Sequence, residues 1–208
     1  MVQALLADAG LTLAQCDALA YGMGPGSFTG VRTACGLVQG LAYGAGLRVA
    51  PVVTLMAMAE SVRQSGAGND VLAVLDARMG EVYWAQYRYD GHWQCISAPT
   101  LSAASSVVAN GMPVVCGNGQ SACPDSFAPL GELQRLPAIL PQAEAIALLA
   151  ANMVRDNTLV EPRDAQPLYL RNKVALTTAE RMAAVTTPAA AMPVATTTAA
   201  AGSAGAGS

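Results

Sequence analysis

A glycine-rich loop, GPGSFTG at residues 24–30, holds the residue types in this sequence that could most readily do chemistry. Ser27 can cap a helix that begins near Phe28, and the free backbone N–H groups of the first helical turn could then bind an anion such as phosphate. The loop lacks the Gly-Lys-Ser/Thr of a P-loop, and its GxGxxxG spacing differs from the GxGxxG of dinucleotide-binding folds. The candidate phosphate-loop residues are Gly24, Gly26, Ser27, Thr29 and Gly30.

Ser27 could instead be a nucleophile, which would require a base beside it. The surrounding sequence is not the GxSxG of hydrolase nucleophile elbows. The single histidine, His92, follows a predicted hairpin turn, and the single lysine, Lys173, lies near the end of the folded part. These positions favour a solvated surface histidine and make catalysis at Ser27 a weaker interpretation than a helix cap.

The helix predicted after the loop carries small residues on one side. Gly36, Gly40 and Gly44 are spaced i, i+4 and i+8, and Gly30 and Ala34 extend the same surface. Each helical glycine costs about 1 kcal/mol relative to alanine, so close backbone approach should compensate. The neighbour could be another part of this chain or another protein, and the sequence leaves both alternatives open.

Composition limits the classes of function. Of the 208 residues 53% are hydrophobic, which is ample material for a core. The 11 basic and 14 acidic residues give a net charge of −3 without a basic cluster, which excludes tight nucleic-acid binding by this chain alone. The five cysteines show no CxxC pair, and the longest uncharged stretch is too short for a membrane span. We therefore predict a cytoplasmic protein with reduced thiols and no membrane contact.

Helical and strand patterns alternate along the chain and predict an α/β fold with a mixed sheet. The Asp90-Gly91 pair indicates a hairpin, and residues 70–77 form the continuous apolar run of a strand buried on both faces. Helices are expected at 2–9, 28–43, 54–64 and 141–156, the last with proline in its first turn, and strands at 17–22, 48–53, 70–77, 81–89, 92–96 and 113–119. The Ala/Thr/Pro/Gly/Ser-rich residues 177–208 are predicted to be a disordered tail without function.

Four segments resemble those of the TsaB family, formerly called YeaZ. They are GPGSFTGVRTACGLVQGLAYG (24–44), TLMAMA (54–59), LDARMGEVYWAQY (75–87) and PLYLRNKVA (167–175), and the resemblance covers residues 2–176. It implies an actin-like ATPase (ASKHA) fold with two similar lobes, divided here into residues 1–64 and 65–176. Family members normally begin with further strands and a complete first helix, so the resemblance also implies a truncated N-terminal lobe.

The resemblance further implies a function. TsaB-type proteins are non-catalytic scaffold and dimerisation subunits of the complex that installs threonylcarbamoyladenosine next to the tRNA anticodon. Their expected partners are the TsaD catalytic subunit, the TsaE ATPase and a second copy of themselves, with tRNA contacted only through the complex. ATP and metal are expected on the partner subunits and no cofactor on this chain. TsaD holds its metal with two histidines at helical spacing, and this chain has one histidine in total.

The resemblance places the partner interface on the first two helices and makes the glycine loop a vestige of a phosphate loop. The expected interface residues are Leu5, Leu6, Phe28, Val31, Arg32, Gly36 and Gly40. The alternatives are an actin-like nucleotide-binding enzyme, a hydrolase that uses Ser27 and, more weakly, a dinucleotide-binding oxidoreductase.

Three charged residues at the entry of the predicted hairpin also permit two interpretations. Asp76, Arg78 and Glu81 could contact a partner or a nucleotide. They could equally form a salt-bridged surface turn, which contributes little to stability. We favour the structural interpretation.

Overall fold

The computed structural model describes residues 2–171. Its helices are α1 (Val2–Asp8), α2 (Phe28–Ala45), α3 (Thr54–Gln64), α4 (Gly119–Ala122), α5 (Pro124–Phe127) and α6 (Ala143–Arg155). Its strands are β1 (Ala18–Gly24), β2 (Arg48–Val53), β3 (Asp70–Asp76), β4 (Glu81–Tyr89), β5 (Trp93–Ala103), β6 (Val114–Cys116) and β7 (Arg135–Leu136). The predicted tail at 177–208 and the end of the PLYLRNKVA segment lie outside the described residues.

The described strands form two sheets. In the first, β1 and β2 pair in parallel, with Ala18 opposite Arg48. The second has the order β5-β4-β3-β6-β7, in which β3, β4 and β5 are antiparallel while β6 and β7 run parallel to β3. The predicted mixed sheet is therefore confirmed, and β3 lies at its centre with Val71 and Val74 fully buried.

Helix α3 contributes to the cores of both sheets, because its apolar residues point in more than one direction. Leu55 and Met58 pack with the buried face of β3. Ala57 packs with Val52 of β2 and with Leu149 of α6. Helix α6 thus covers the first sheet although it lies within residues 65–176, and the division into lobes at residue 64 stays a prediction.

Several predicted boundaries were wrong. The strand predicted at 113–119 ends at Cys116, and Gly119 already begins α4. Pro141 precedes α6 instead of lying in its first turn, and the helix begins at Ala143 after Gln142. Strand β5 continues to Ala103, seven residues beyond the predicted end at 96, because it pairs along the whole length of β4. Pro99 is tolerated within it because β5 is an edge strand, where a missing backbone N–H costs no ladder bond.

A buried carboxylate ties α3 to the β4–β5 hairpin. The side chain of Glu60 is 4% exposed. It accepts hydrogen bonds from Arg63 (2.6 and 3.0 Å), from Gln64 (2.6 Å) and from the indole N–H of Trp93 (2.9 Å). Burial alone would raise the pKa of Glu60, but these hydrogen bonds outweigh it and hold the pKa below its ordinary value.

We expect Glu60→Gln to lower the free energy of unfolding at pH 7 by about 2–3 kcal/mol, since an amide cannot accept all four donors. A carboxyl group whose folded pKa is depressed stabilises the fold above its unfolded pKa and loses that contribution as pH falls through the folded pKa. Urea unfolding should therefore show the gap between wild type and variant shrinking below about pH 4. Glu144→Gln, at an exposed carboxylate of α6, is the control. A gap of the same size at every pH would contradict the assignment.

Candidate functional site

The glycine loop is held between β1 and α3, and its first residue must be glycine. Gly24 has φ +109°, and a Cβ built on it would lie 3.0 Å from the carbonyl oxygen of Leu168. Its N–H donates to Oγ1 of Thr54 at 3.1 Å. A side chain at position 24 would crowd the carbonyl oxygen of Leu168, and the positive φ would strain any residue other than glycine.

Ser27 caps α2, as the sequence predicts. Its hydroxyl oxygen accepts a long hydrogen bond of 3.5 Å from the N–H of Gly30. The helix then runs for 18 residues and ends at Gly46, whose φ of +66° provides a left-handed C-cap.

A cleft of about 630 Å³ lies beside this loop. Of the candidate phosphate-loop residues, Gly26, Ser27 and Gly30 line it, and Gly24 and Thr29 do not. His92 lines a different cavity, next to Trp93, so the structure does not bring the histidine to Ser27. The chain's only lysine, Lys173, lies outside the described residues.

The charged residues at the hairpin entry are paired with each other and with the end of the described chain. The carboxylate of Asp76 lies 3.1 Å from the guanidinium of Arg78, and that of Glu81 lies 2.6 Å from the guanidinium of Arg171. Arg171 also donates to the carbonyl oxygen of Ala77. Asp76 and Arg78 line the loop cleft, and Arg78 is 86% exposed. The arrangement is that of the salt-bridged turn we favoured.

The glycines of α2 face open space. A Cβ built on Gly36, Gly40 or Gly44 would meet no other atom within 4 Å, apart from its chain neighbours and its own helix. Intrachain packing, one of the two alternatives for this stripe, is therefore wrong within the described residues. Within residues 2–171, no close packing compensates the propensity cost of about 1 kcal/mol per glycine.

Large apolar side chains lie on the same side of α2 as these glycines. Leu37 is 53% exposed and Tyr43 is 84% exposed. Both lie three residues from Gly40, so they share its helix face. We call Gly36, Leu37, Gly40, Tyr43 and Gly44 the α2 outer face. Leu37 and Tyr43 were not among the expected interface residues, although their spacing from the glycines was a usable signal.

The other expected interface residues occupy different environments. Phe28 is 55% exposed, and the guanidinium of Arg32 stacks over its ring at 3.3 Å and lies 4.7 Å from that of Tyr169. Val31 is half-buried, and its methyl groups pack against the loop instead of facing outward.

Helix α1 lies at the surface. Leu5 is 62% exposed and Leu6 is half-buried, and α1 has no fully buried residue. Its apolar side chains are therefore available for contact with another molecule.

No group of three or more His, Cys, Asp or Glu side chains within residues 2–171 could hold a metal ion. No helix in that part of the chain has the length and apolar character needed to cross a membrane.

The fold is that of the actin-like (ASKHA) proteins, as the comparison with a solved structure of YeaZ from Pseudomonas aeruginosa shows. The two structures agree with a TM-score of 0.74 and 32% sequence identity, over 82% of each chain.

Sequence comparisons give the family. The chain is 42% identical over 183 residues to the tRNA threonylcarbamoyladenosine biosynthesis protein TsaB of Escherichia coli, covering 84% of this chain and 79% of that protein. It is 52% identical over 86 residues to the Haemophilus influenzae protein of the same name, a match that spans 41% of this chain and 36% of that protein. A family model described as TsaD, tRNA N6-adenosine threonylcarbamoyltransferase, matches residues 1–179. The chain belongs to the TsaB (YeaZ) family.

Proposed function

We propose that this chain is a non-catalytic scaffold subunit of the complex that installs threonylcarbamoyladenosine next to the tRNA anticodon. The pathway is the one named for its bacterial relatives. The scaffold role is supported by the α2 outer face, where three glycines and two large apolar side chains lie open instead of packing within the chain.

The occupant of the α2 outer face would be a TsaD-like catalytic subunit, and a second copy of this chain could occupy it when that subunit is absent. Glycines at i, i+4 and i+8 let a helix of the partner approach the backbone closely, and Leu37 and Tyr43 supply apolar area beside the contact. Phe28 and Arg32 would extend the contact toward the loop, and α1 would add a second, smaller area.

The remaining components would come from other subunits. ATP and metal would be bound by the TsaD-like subunit and a TsaE-like ATPase, with no cofactor on this chain. The tRNA would be contacted through the complex, in keeping with a net charge of −3. The five cysteines are free, which suits the reducing cytoplasm where we place this work.

Reconstitution tests the proposal. A lysate of cells depleted of this chain, which still supplies the other components of the pathway, is combined with tRNA and ATP, with or without the purified full chain, and threonylcarbamoyladenosine in digested tRNA is measured by mass spectrometry. Threonylcarbamoyladenosine should form only when this chain is present. The Gly40→Trp variant should not restore its formation. Formation of the modified nucleoside at the same rate without this chain would refute the proposal.

The cleft beside the α2 N-terminus supports one alternative function, that of an enzyme that binds a nucleotide or uses Ser27. We expect Ser27→Ala to cost only about 0.5–1 kcal/mol of stability, because its cap hydrogen bond is long. The variant should support tRNA modification as well as wild type does. Ser27→Asn, which preserves a cap, is the control. Loss of activity in both variants, with both still folded, would favour catalysis by the Ser27 hydroxyl, because only the hydroxyl is missing from both.

A further inference from the structure

A cavity of about 530 Å³ lies between the C-terminal part of α6 and the tip of the β4–β5 hairpin, and we call it the α6 cavity. Its volume is in the range of small-molecule sites. None of its lining residues belongs to α1, β1 or α2. The α6 cavity is therefore separate from the α2 outer face and from the first strand of the chain.

The interior of the α6 cavity is apolar. Strand β2 contributes Val52 and Val53, α3 contributes Met56, and α6 contributes Leu149 and Met153. Such side chains accept an apolar group of a ligand, and the two unbranched methionines can adjust to its shape.

An aromatic side chain forms one wall of the α6 cavity and is held in place from behind. It is Trp93, whose indole N–H donates to the buried carboxylate of Glu60 at 2.9 Å. The rings of Tyr87 and Tyr89 meet the indole edge to face, with centroids 6.4 and 5.3 Å from that of Trp93. A wall that is already ordered lowers the entropic cost of binding a ligand against it.

The rim of the α6 cavity carries one charge of each sign. With His92 neutral, Arg155 and Asp156 are the charged side chains among the lining residues, and both are exposed. Arg155 donates a hydrogen bond to Oδ1 of Asn152, and neither charged group forms an ion pair with any residue that the structure describes. A simple anion would be repelled by Asp156 and a simple cation by Arg155, whereas a zwitterion can pair with both.

We propose that the α6 cavity binds a free α-amino acid with a large apolar side chain. The guanidinium of Arg155 pairs with the α-carboxylate, and the carboxylate of Asp156 pairs with the α-ammonium group. The side chain of the ligand lies in the apolar interior against Trp93. This inference does not depend on the proposed function, and it is tested with the isolated full chain.

The probe is L-phenylalanine, and the readout is the indole N–H resonances of the isotope-labelled chain. The chain has two tryptophans. Trp93 lines the α6 cavity, whereas Trp84 lies outside it and donates to Ser102 of β5. Titration should move the Trp93 resonance to saturation with a dissociation constant of about 1 mM and leave the Trp84 resonance in place. The Trp84→Phe variant assigns the two resonances.

Three analogues test what the α6 cavity recognises. Hydrocinnamate lacks the ammonium group of L-phenylalanine, and phenethylamine lacks its carboxylate. Each should bind about tenfold more weakly or worse, because one charge-assisted hydrogen bond is lost. L-Threonine keeps both charges but has no large apolar group, and it should bind at least as weakly as these two.

Matched variants assign each charge to its partner. Arg155→Gln should weaken L-phenylalanine binding about tenfold without weakening that of phenethylamine, which has no carboxylate to lose. Asp156→Asn should weaken L-phenylalanine binding to a similar extent without weakening that of hydrocinnamate. Glu144→Gln, in the first turn of α6 and outside the cavity, is the control and should bind as wild type does.

Any one of three results would overturn the inference. The Trp93 resonance of wild type could stay in place up to about 10 mM L-phenylalanine, which would exclude binding in the expected range. Equal affinity for L-phenylalanine and its analogues would mean nonspecific apolar contact. Normal binding of L-phenylalanine by both Arg155→Gln and Asp156→Asn would show that the two charges do not recognise the ligand.

Discussion

Replacing Gly40 with tryptophan is expected to weaken binding to the TsaD-like subunit about 100-fold or more, the effect expected of a change at the centre of an interface. The added ring would occupy the space into which a partner helix must move. Gly36→Trp should act in the same way from the preceding turn. Isothermal titration with the purified partner measures the change, and Ala122→Trp, at an exposed position of α4, is the control.

A small side chain at Gly40 should stabilise the isolated chain, although a large one weakens binding to the partner. A Cβ on Gly40 meets no other atom within 4 Å. Gly40→Ala should therefore raise the free energy of unfolding of the isolated chain by about 0.5–1 kcal/mol, because it removes the entropic cost of a helical glycine. If Gly40→Ala destabilised the isolated chain, or if Gly40→Trp bound normally, the α2 outer face would not be the interface.

The largest loss of stability is expected from Gly117→Ala. Gly117 follows β6 with φ +100°, and a Cβ there would lie 2.1 Å from the carbonyl oxygen of Val74 and 2.5 Å from Cε of Met58. The methionine could move, but Val74 belongs to the central strand β3 and cannot. We expect a loss of about 4 kcal/mol or more, which is a large part of the total stability of an ordinary domain.

Gly46→Ala separates the two causes of that loss. Gly46, the C-cap of α2, also has a positive φ of +66° and lies in the left-handed region, but a Cβ there would meet no other atom within 4 Å. It should cost only about 1–2 kcal/mol, the cost of a left-handed residue. Urea unfolding followed by circular dichroism measures both variants. Similar losses of stability for the two variants would show that the clash with Val74 adds nothing to the cost of the positive φ.

The sequence predicted features that local patterns determine. The continuous apolar run of β3, the Asp90-Gly91 hairpin and the serine cap of α2 were all confirmed, because each depends on residues close together in the chain. The family resemblance was confirmed for a related reason, since its motifs are continuous segments.

Features that depend on distant residues could not be predicted. Whether Gly36 and Gly40 pack inside the chain depends on what lies across from α2, and the helix sequence does not contain that information. The contact of Val31 with the loop at Gly24 and Gly26 depends in the same way on how the loop folds back, and its expected place at the interface stays a prediction. The length of β5 follows from its pairing with β4, which the residues after 96 do not reveal by themselves.

The central claim is that this chain works by binding a catalytic partner, and size-exclusion chromatography with light scattering tests it most directly. The purified full chain is mixed with its cognate TsaD-like protein. We predict a stable complex with one copy of each chain, which Gly40→Trp prevents from forming. Two folded proteins that elute separately at every concentration tested would contradict the account.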